Sequence, residues 1–122
     1  VGQKLAVVIT TPPYSNLTAT ALDYVESALK AGIELVGVFF YQNGVLNADS
    51  NISIASDEFQ AIDKWQQLHQ QYQLPLHLCV TAAEKHGLRD DITPTNIDPL
   101  FTISGLGELV ELTDKADRVV QL

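Results

Sequence analysis

The chain has 122 residues, 46% of them hydrophobic and 18% charged, which suits one folded domain over residues 1–122 with a real core and excludes a disordered chain. Its formal net charge of −8 speaks against direct nucleic-acid binding, because an acidic surface gathers counterions where a phosphate contact must release them. No apolar run approaches the roughly 20 residues of a membrane-spanning helix, and VGQKLAVVIT lacks the pattern of a signal peptide, so no membrane association is expected.

Lys4 to Thr10 (KLAVVIT) is short, apolar and β-rich, the pattern of a strand buried on both faces. Thr11-Pro12-Pro13-Tyr14 must then be a loop, since neither proline suits a ladder or a helix interior. Leu17, Ala21, Leu22, Val25, Ala28 and Leu29 recur at helical spacing, with Gly32 placed as a stop. Leu35 to Tyr41 (LVGVFFY) is a second strand. The first forty residues therefore predict a right-handed βαβ unit with parallel strands.

Gln42-Asn43-Gly44 signals a turn, and the small, polar stretch Leu46 to Ala55 reads as a connector. A second helix is expected to start at a Ser56 cap, with Asp57 and Glu58 in its first turn. Phe59, Ile62, Trp65, Leu68 and Tyr72 form its apolar stripe, which is expected to face the core or another subunit. Leu74 to Val80 is a third strand. Arg89 to Pro99 is an irregular loop, open to a partner-facing or a plain surface reading. Phe101 to Ile103 is a short extended piece. Ser104 and Gly105 open a last helix through Leu112, and Asp117 to Leu122 closes the chain as a strand. The fold expected is an α/β layered domain, a mostly parallel sheet with helices on both faces.

Chemistry centres on Leu76 to Gly87 (LHLCVTAAEKHG), where strand-like turns into helix-like sequence at Cys79, the only cysteine. One cysteine excludes an internal disulfide and a CxxC redox pair, and a reducing, cytoplasmic setting is expected. Thr81 is a candidate helix cap and Gly87 a candidate stop. At a strand's end an α/β sheet opens its crevice, and unpaired N–H groups of a helix's first turn help a thiol ionise. The plainer reading stands beside it: a free cysteine is commonly a small buried hydrophobe.

Phosphate-binding and metal motifs are missing. In GxGxxG terms Gly105 and Gly107 are followed by Val110, late in the chain, and no P-loop occurs. His69, His77 and His86 fall on different elements, with no HExxH; His69 is expected to be solvated and His77 to be a strand side chain. His86 lies seven residues beyond Cys79, and a Cys–His hydrolytic pair would need the two within hydrogen-bond reach. What remains is a lone thiol, whose transfer cycle a second molecule must complete. Carrying a persulfide sulfur meets that condition and needs no bound cofactor or metal.

The segments FFYQNGVLNA (Phe39 to Ala48), ASDEF, WQQL (Trp65 to Leu68), LHLCVTAAEKHG, FTISGLGELVE and DRVVQL, in this order, resemble the DsrE-like sulfurtransferase family across nearly the whole chain. The resemblance implies that Cys79 is the persulfide-carrying residue. It also implies TusB-like and TusC-like subunits in a dimer of heterotrimers, a TusA-like sulfur donor and a TusE-like acceptor. The implied product is 2-thiouridine at the tRNA wobble position, RNA being met only by downstream proteins. A DsrE-type role in sulfur oxidation, and a noncatalytic α/β scaffold with a packed cysteine, are the rivals. At Glu84-Lys85-His86 the chain departs from more basic relatives, which reduces the electrostatic help offered to a thiolate. The chain contains no methionine, so Val1 is not expected to be the native first residue.

Overall fold

The computed structural model describes residues 3–122, so the expectation about Val1 falls outside the described residues. Five strands form one sheet in the order β4-β3-β2-β1-β5, and every neighbouring pair is parallel. β1 (Lys4–Ile9), α1 (Asn16–Lys30) and β2 (Glu34–Phe40) make the first crossover unit. α2 (Ala61–Tyr72) leads to β3 (Leu76–Cys79), α3 (Val80–Lys85) follows it directly, and β4 (Thr102–Ser104), α4 (Leu106–Lys115) and β5 (Arg118–Gln121) complete the chain. From β1 to β4 the chain steps one way across the sheet; the β4-to-β5 connection returns past all of them. Right-handed crossovers then put α1 and α2 on one face and α4 on the other.

Local sequence explains most of these boundaries. Ser15 caps α1 by accepting from the Leu17 N–H at 3.1 Å, and Gly32 takes the left-handed φ of +82° that ends it. β1 and β2 are buried on both faces, Leu5 through Ile9 and Val38 through Phe40 each being at most 7% exposed, which is why they read as unbroken apolar runs. α1 lies beside α2, tied by Lys64 Nζ to Glu26 Oε2 at 2.7 Å. On the opposite face α4 rests on β1 and β2 through Leu112, its one buried residue. A Cβ at Gly37 would stand only 3.0 Å from Leu112 Cδ2, so the glycine lets this helix come close.

Four expectations need correction. The supposed connector after β2 is a 3₁₀ helix, Gln42–Ala48, with Gly44, Val45, Asn47 and Ala48 buried. It docks so closely that a Cβ on Gly44 would lie 2.0 Å from the Ile9 carbonyl oxygen. α2 begins at Ala61 rather than at a Ser56 cap. The Gln60 amide donates to the carbonyls of Ile54, Ala55 and Glu58 at 3.2, 2.8 and 3.2 Å, folding that stretch into a compact turn and leaving Phe59 44% exposed. His69 is not freely solvated: its Nδ1 lies 2.8 Å from the Leu74 carbonyl oxygen, across the turn after α2. Thr81 does not cap α3, because Cys79 itself holds the N-cap position.

Trp65 and Leu68 are fully buried, as a core stripe requires. The reversal in strand order falls between β1 and β5. The crevice that such a reversal opens therefore lies two strands away from Cys79, whose setting is the β3–α3 junction instead.

Candidate functional site

β3 is only four residues long, and its last residue is Cys79. Leu76 and Leu78 point into the core while His77 is half-buried, so Cys79, two residues past His77, lies on the same side of the sheet as His77. With φ −66° and ψ 119° Cys79 is still extended, and the next residue starts α3. Ala82 and Ala83 bury that helix against the 3₁₀ segment, and Gly87, at φ +75°, ends it. Small side chains and an immediate glycine stop allow a single short helix to fold back over the strand end that carries the thiol.

Cys79 is 1% exposed. It nonetheless borders a cavity of about 230 Å³, walled by Tyr41 and Gln42 from the end of β2, by Thr81, Ala82, Lys85 and His86 from α3, and by Leu106 at the start of α4. The lining carries a lysine, a histidine, a phenol, a hydroxyl and an amide, but no carboxylate, in a chain with 15 acidic residues. The thiol is accordingly packed and adjacent to a cavity at once.

The three histidines separate clearly. His86 shares the cavity with Cys79, but among the described residues no hydrogen bond joins their side chains, and its backbone N–H closes α3 onto the Ala82 and Ala83 carbonyls. The geometry of a Cys–His hydrolytic pair is not present. His77 turns toward α4, with Nδ1 3.2 Å from Ser104 Oγ and 3.9 Å from Glu108 Oε1. Burial holds its pKa below the ordinary histidine value, outweighing the pull of Glu108. Ser104 is also the register partner of Cys79, so this polar cluster adjoins the site without entering the cavity. His69 lies in the last turn of α2 and reaches across to the Leu74 carbonyl, away from the site.

Among the described residues no group of three or more His, Cys, Asp or Glu side chains is placed to hold a metal, and no helix is long and apolar enough to cross a membrane. A larger cavity of about 440 Å³ lies on the other side of α3, between Ala83, Leu88, Ile97, Ile103 and the Arg89–Asp91 ion pair. Cys79 does not line it. The 89–99 loop that walls it is anchored by Asn96, whose side chain accepts from the Arg89 N–H at 2.7 Å and donates to the Gly87 carbonyl at 2.8 Å.

Sequence reasoning isolated Cys79 and the strand-to-helix junction but missed Tyr41, Gln42 and Leu106. Two of these follow β2 directly, and the third sits in Gly105-Leu106-Gly107. Their shared feature, a place just past the C-terminal end of a parallel strand, becomes visible only with the strand order.

The DsrE/DsrF-like family model matches residues 3–122. The chain belongs to this family. Two curated relatives, each named "Sulfurtransferase TusD", from two strains of Klebsiella pneumoniae, are 40% identical over 126 residues, covering 97% of this chain and 98% of theirs. Among solved structures, the ychN protein of E. coli superposes with a TM-score of 0.73 at 20% identity, covering all of both chains. A conserved protein of unknown function from Bacteroides thetaiotaomicron gives 0.59 at 16% identity, over 98% of this chain and 95% of that one. At those identities the two structures support the fold alone.

Proposed function

We propose that this chain is a sulfur-relay sulfurtransferase in which Cys79 carries the travelling sulfur as a persulfide. The observation that carries the reading is the placement of the only cysteine on the wall of a cavity at the β3–α3 junction. The name borne by relatives at 40% identity supports the reaction class.

The step balances without a cofactor or an external oxidant. The Cys79 thiolate attacks the outer sulfur of a donor persulfide, R–S–SH. The new Sγ–S bond forms as the donor's S–S bond breaks, giving Cys79–S–SH and R–S⁻, which takes up a proton as R–SH. Delivery repeats the exchange with an acceptor thiolate attacking the outer sulfur. The carboxylate-free lining contributes by placing no negative charge beside an anionic sulfur. Following the family resemblance, the donor is a TusA-like carrier, the acceptor is TusE-like, and TusB-like and TusC-like chains complete a cytoplasmic hetero-oligomer. The end product is 2-thiouridine in tRNA, and the acidic composition suits a subunit that exchanges sulfur with proteins and leaves the RNA to others.

Burial of Cys79 to 1% exposure supports a second reading, a scaffold subunit with a packed cysteine. Intact-mass measurement after incubation with a low-molecular-weight persulfide donor separates the two. Relay gives a gain of one sulfur atom that Cys79→Ser abolishes. An unmodified protein, under conditions that load a known persulfide carrier, leaves the scaffold reading standing.

A further inference from the structure

We propose that Leu106 is the gate of the Cys79 cavity, and that the first turn of α4 must shift for the thiol to react. The inference rests on Cys79 as the reacting residue and concerns how that residue becomes reachable. At 1% exposure the sulfur cannot take part in a displacement, which needs a donor aligned behind it at contact distance. Some part of the cavity wall therefore moves.

The walls differ in how firmly they are held. The 3₁₀ segment behind Tyr41 and Gln42 buries four residues, and the Asn47 side chain within it bonds to Thr11, Gly44 and Trp65. α3 buries Ala82 and Ala83, and its end is closed by backbone bonds to the Ala82, Ala83 and Glu84 carbonyls. α4 is different. Its one buried residue, Leu112, lies nearly two turns beyond Leu106, and nearer the site it is held only by the partly buried Leu109 and by Glu108, whose Oε1 stands 3.9 Å from His77 Nδ1. Leu106 is 50% exposed and stands between Gly105 and Gly107, where an added Cβ would meet nothing within 4 Å. Two glycines with free space around them let the backbone on either side of Leu106 change conformation at little steric cost. The weakest wall of the cavity is the one carrying a single apolar side chain.

The test is the second-order rate of Cys79 alkylation by iodoacetamide on the full chain, followed by intact mass, with unfolding by urea measured in parallel. Leu106→Ala is expected to raise the rate ~10-fold and Leu106→Trp to lower it by a similar factor, while Val110→Ala, one turn further on and outside the cavity, stays within ~2-fold. Rates that are equal across all four proteins, or that change only in proportion to global stability, overturn the gate. Alkylation needs no persulfide chemistry, so a protein that never loads sulfur can still confirm the gate, and a protein that loads sulfur can still refute it.

Discussion

Trp65 donates its indole N–H to Asn47 Oδ1 across 3.0 Å, and both side chains are fully buried. The same Asn47 donates through Nδ2 to the carbonyls of Thr11 and Gly44, at 3.0 and 2.8 Å. One side chain thus joins α2, the 3₁₀ segment and the loop after β1, holding the wall that carries Tyr41 and Gln42. Replacing Asn47 by Ala strands the buried indole N–H and removes the donor to the buried Gly44 carbonyl and to the part-buried Thr11 carbonyl. A loss of about 3 kcal/mol is expected, read as a lower urea midpoint followed by Trp65 fluorescence. A midpoint within error of the wild type would mean that solvent reaches these groups.

Gly44 and Gly107 predict opposite outcomes for the same substitution. A Cβ at Gly44 would collide with the Ile9 backbone, at 2.0 Å from its carbonyl oxygen, and backbone at a core strand's end has no way to yield. Gly44→Ala is expected to cost about 3 kcal/mol or more, or to prevent folding. Gly107 lies in α4 with open space around it, so Gly107→Ala should stabilise by up to about 1 kcal/mol through helix propensity. Urea titration of the pair decides it, and equal effects would contradict the packing described here.

These two positions also mark what the sequence could reveal. Strands buried on both faces and an amphipathic helix announce themselves by apolar runs, by helical spacing and by Gly32, so β1, α1, β2 and the parallel sheet were legible, while the Ser15 cap was not. The 3₁₀ segment was not, because its burial comes from close backbone approach at Gly44 and from one asparagine, neither of which has a periodicity. The start of α2 was misread because Ser56-Asp57-Glu58 has the composition of a helix entry, while the side-chain amide of Gln60 stabilises a turn there instead. Cys79 was legible as a singular residue at a change of period. The cavity around it joins three separate parts of the chain, a relationship that only strand order creates.

His77 gives stability a pH dependence whose sign can be fixed. Burial, opposed by Glu108 and reinforced by Lys115, holds the folded-state pKa below the ordinary value of 6.5. The unfolded chain therefore protonates first as pH falls. The contribution is fully present above the unfolded value and is lost as pH drops through the folded one. The urea midpoint should decline in that window in the wild type and decline less in His77→Gln. Glu108→Gln removes the group that favours the charged ring, so the decline should begin at the same pH but extend further down and become deeper. A steeper slope in His77→Gln than in the wild type would reverse the assigned sign.

Cys79→Ala and Cys79→Ser together separate packing from chemistry. The thiol is fully packed, so alanine removes a sulfur's worth of contacts at a cost of about 1–2 kcal/mol. Serine keeps the volume closer but places a more strongly hydrated hydroxyl in a position that is only 1% exposed, at a similar or slightly larger cost of about 1–3 kcal/mol. Both variants should therefore fold, with urea midpoints only modestly lowered, and both should fail completely to gain sulfur from a persulfide donor. That pairing matters because neither half is sufficient alone. A variant that unfolds would lose sulfur loading for an uninteresting reason, and a folded variant that still gained one sulfur would show the sulfur sitting on another group. Folded chains of wild-type secondary structure with no mass gain leave the Cys79 thiol as the carrier.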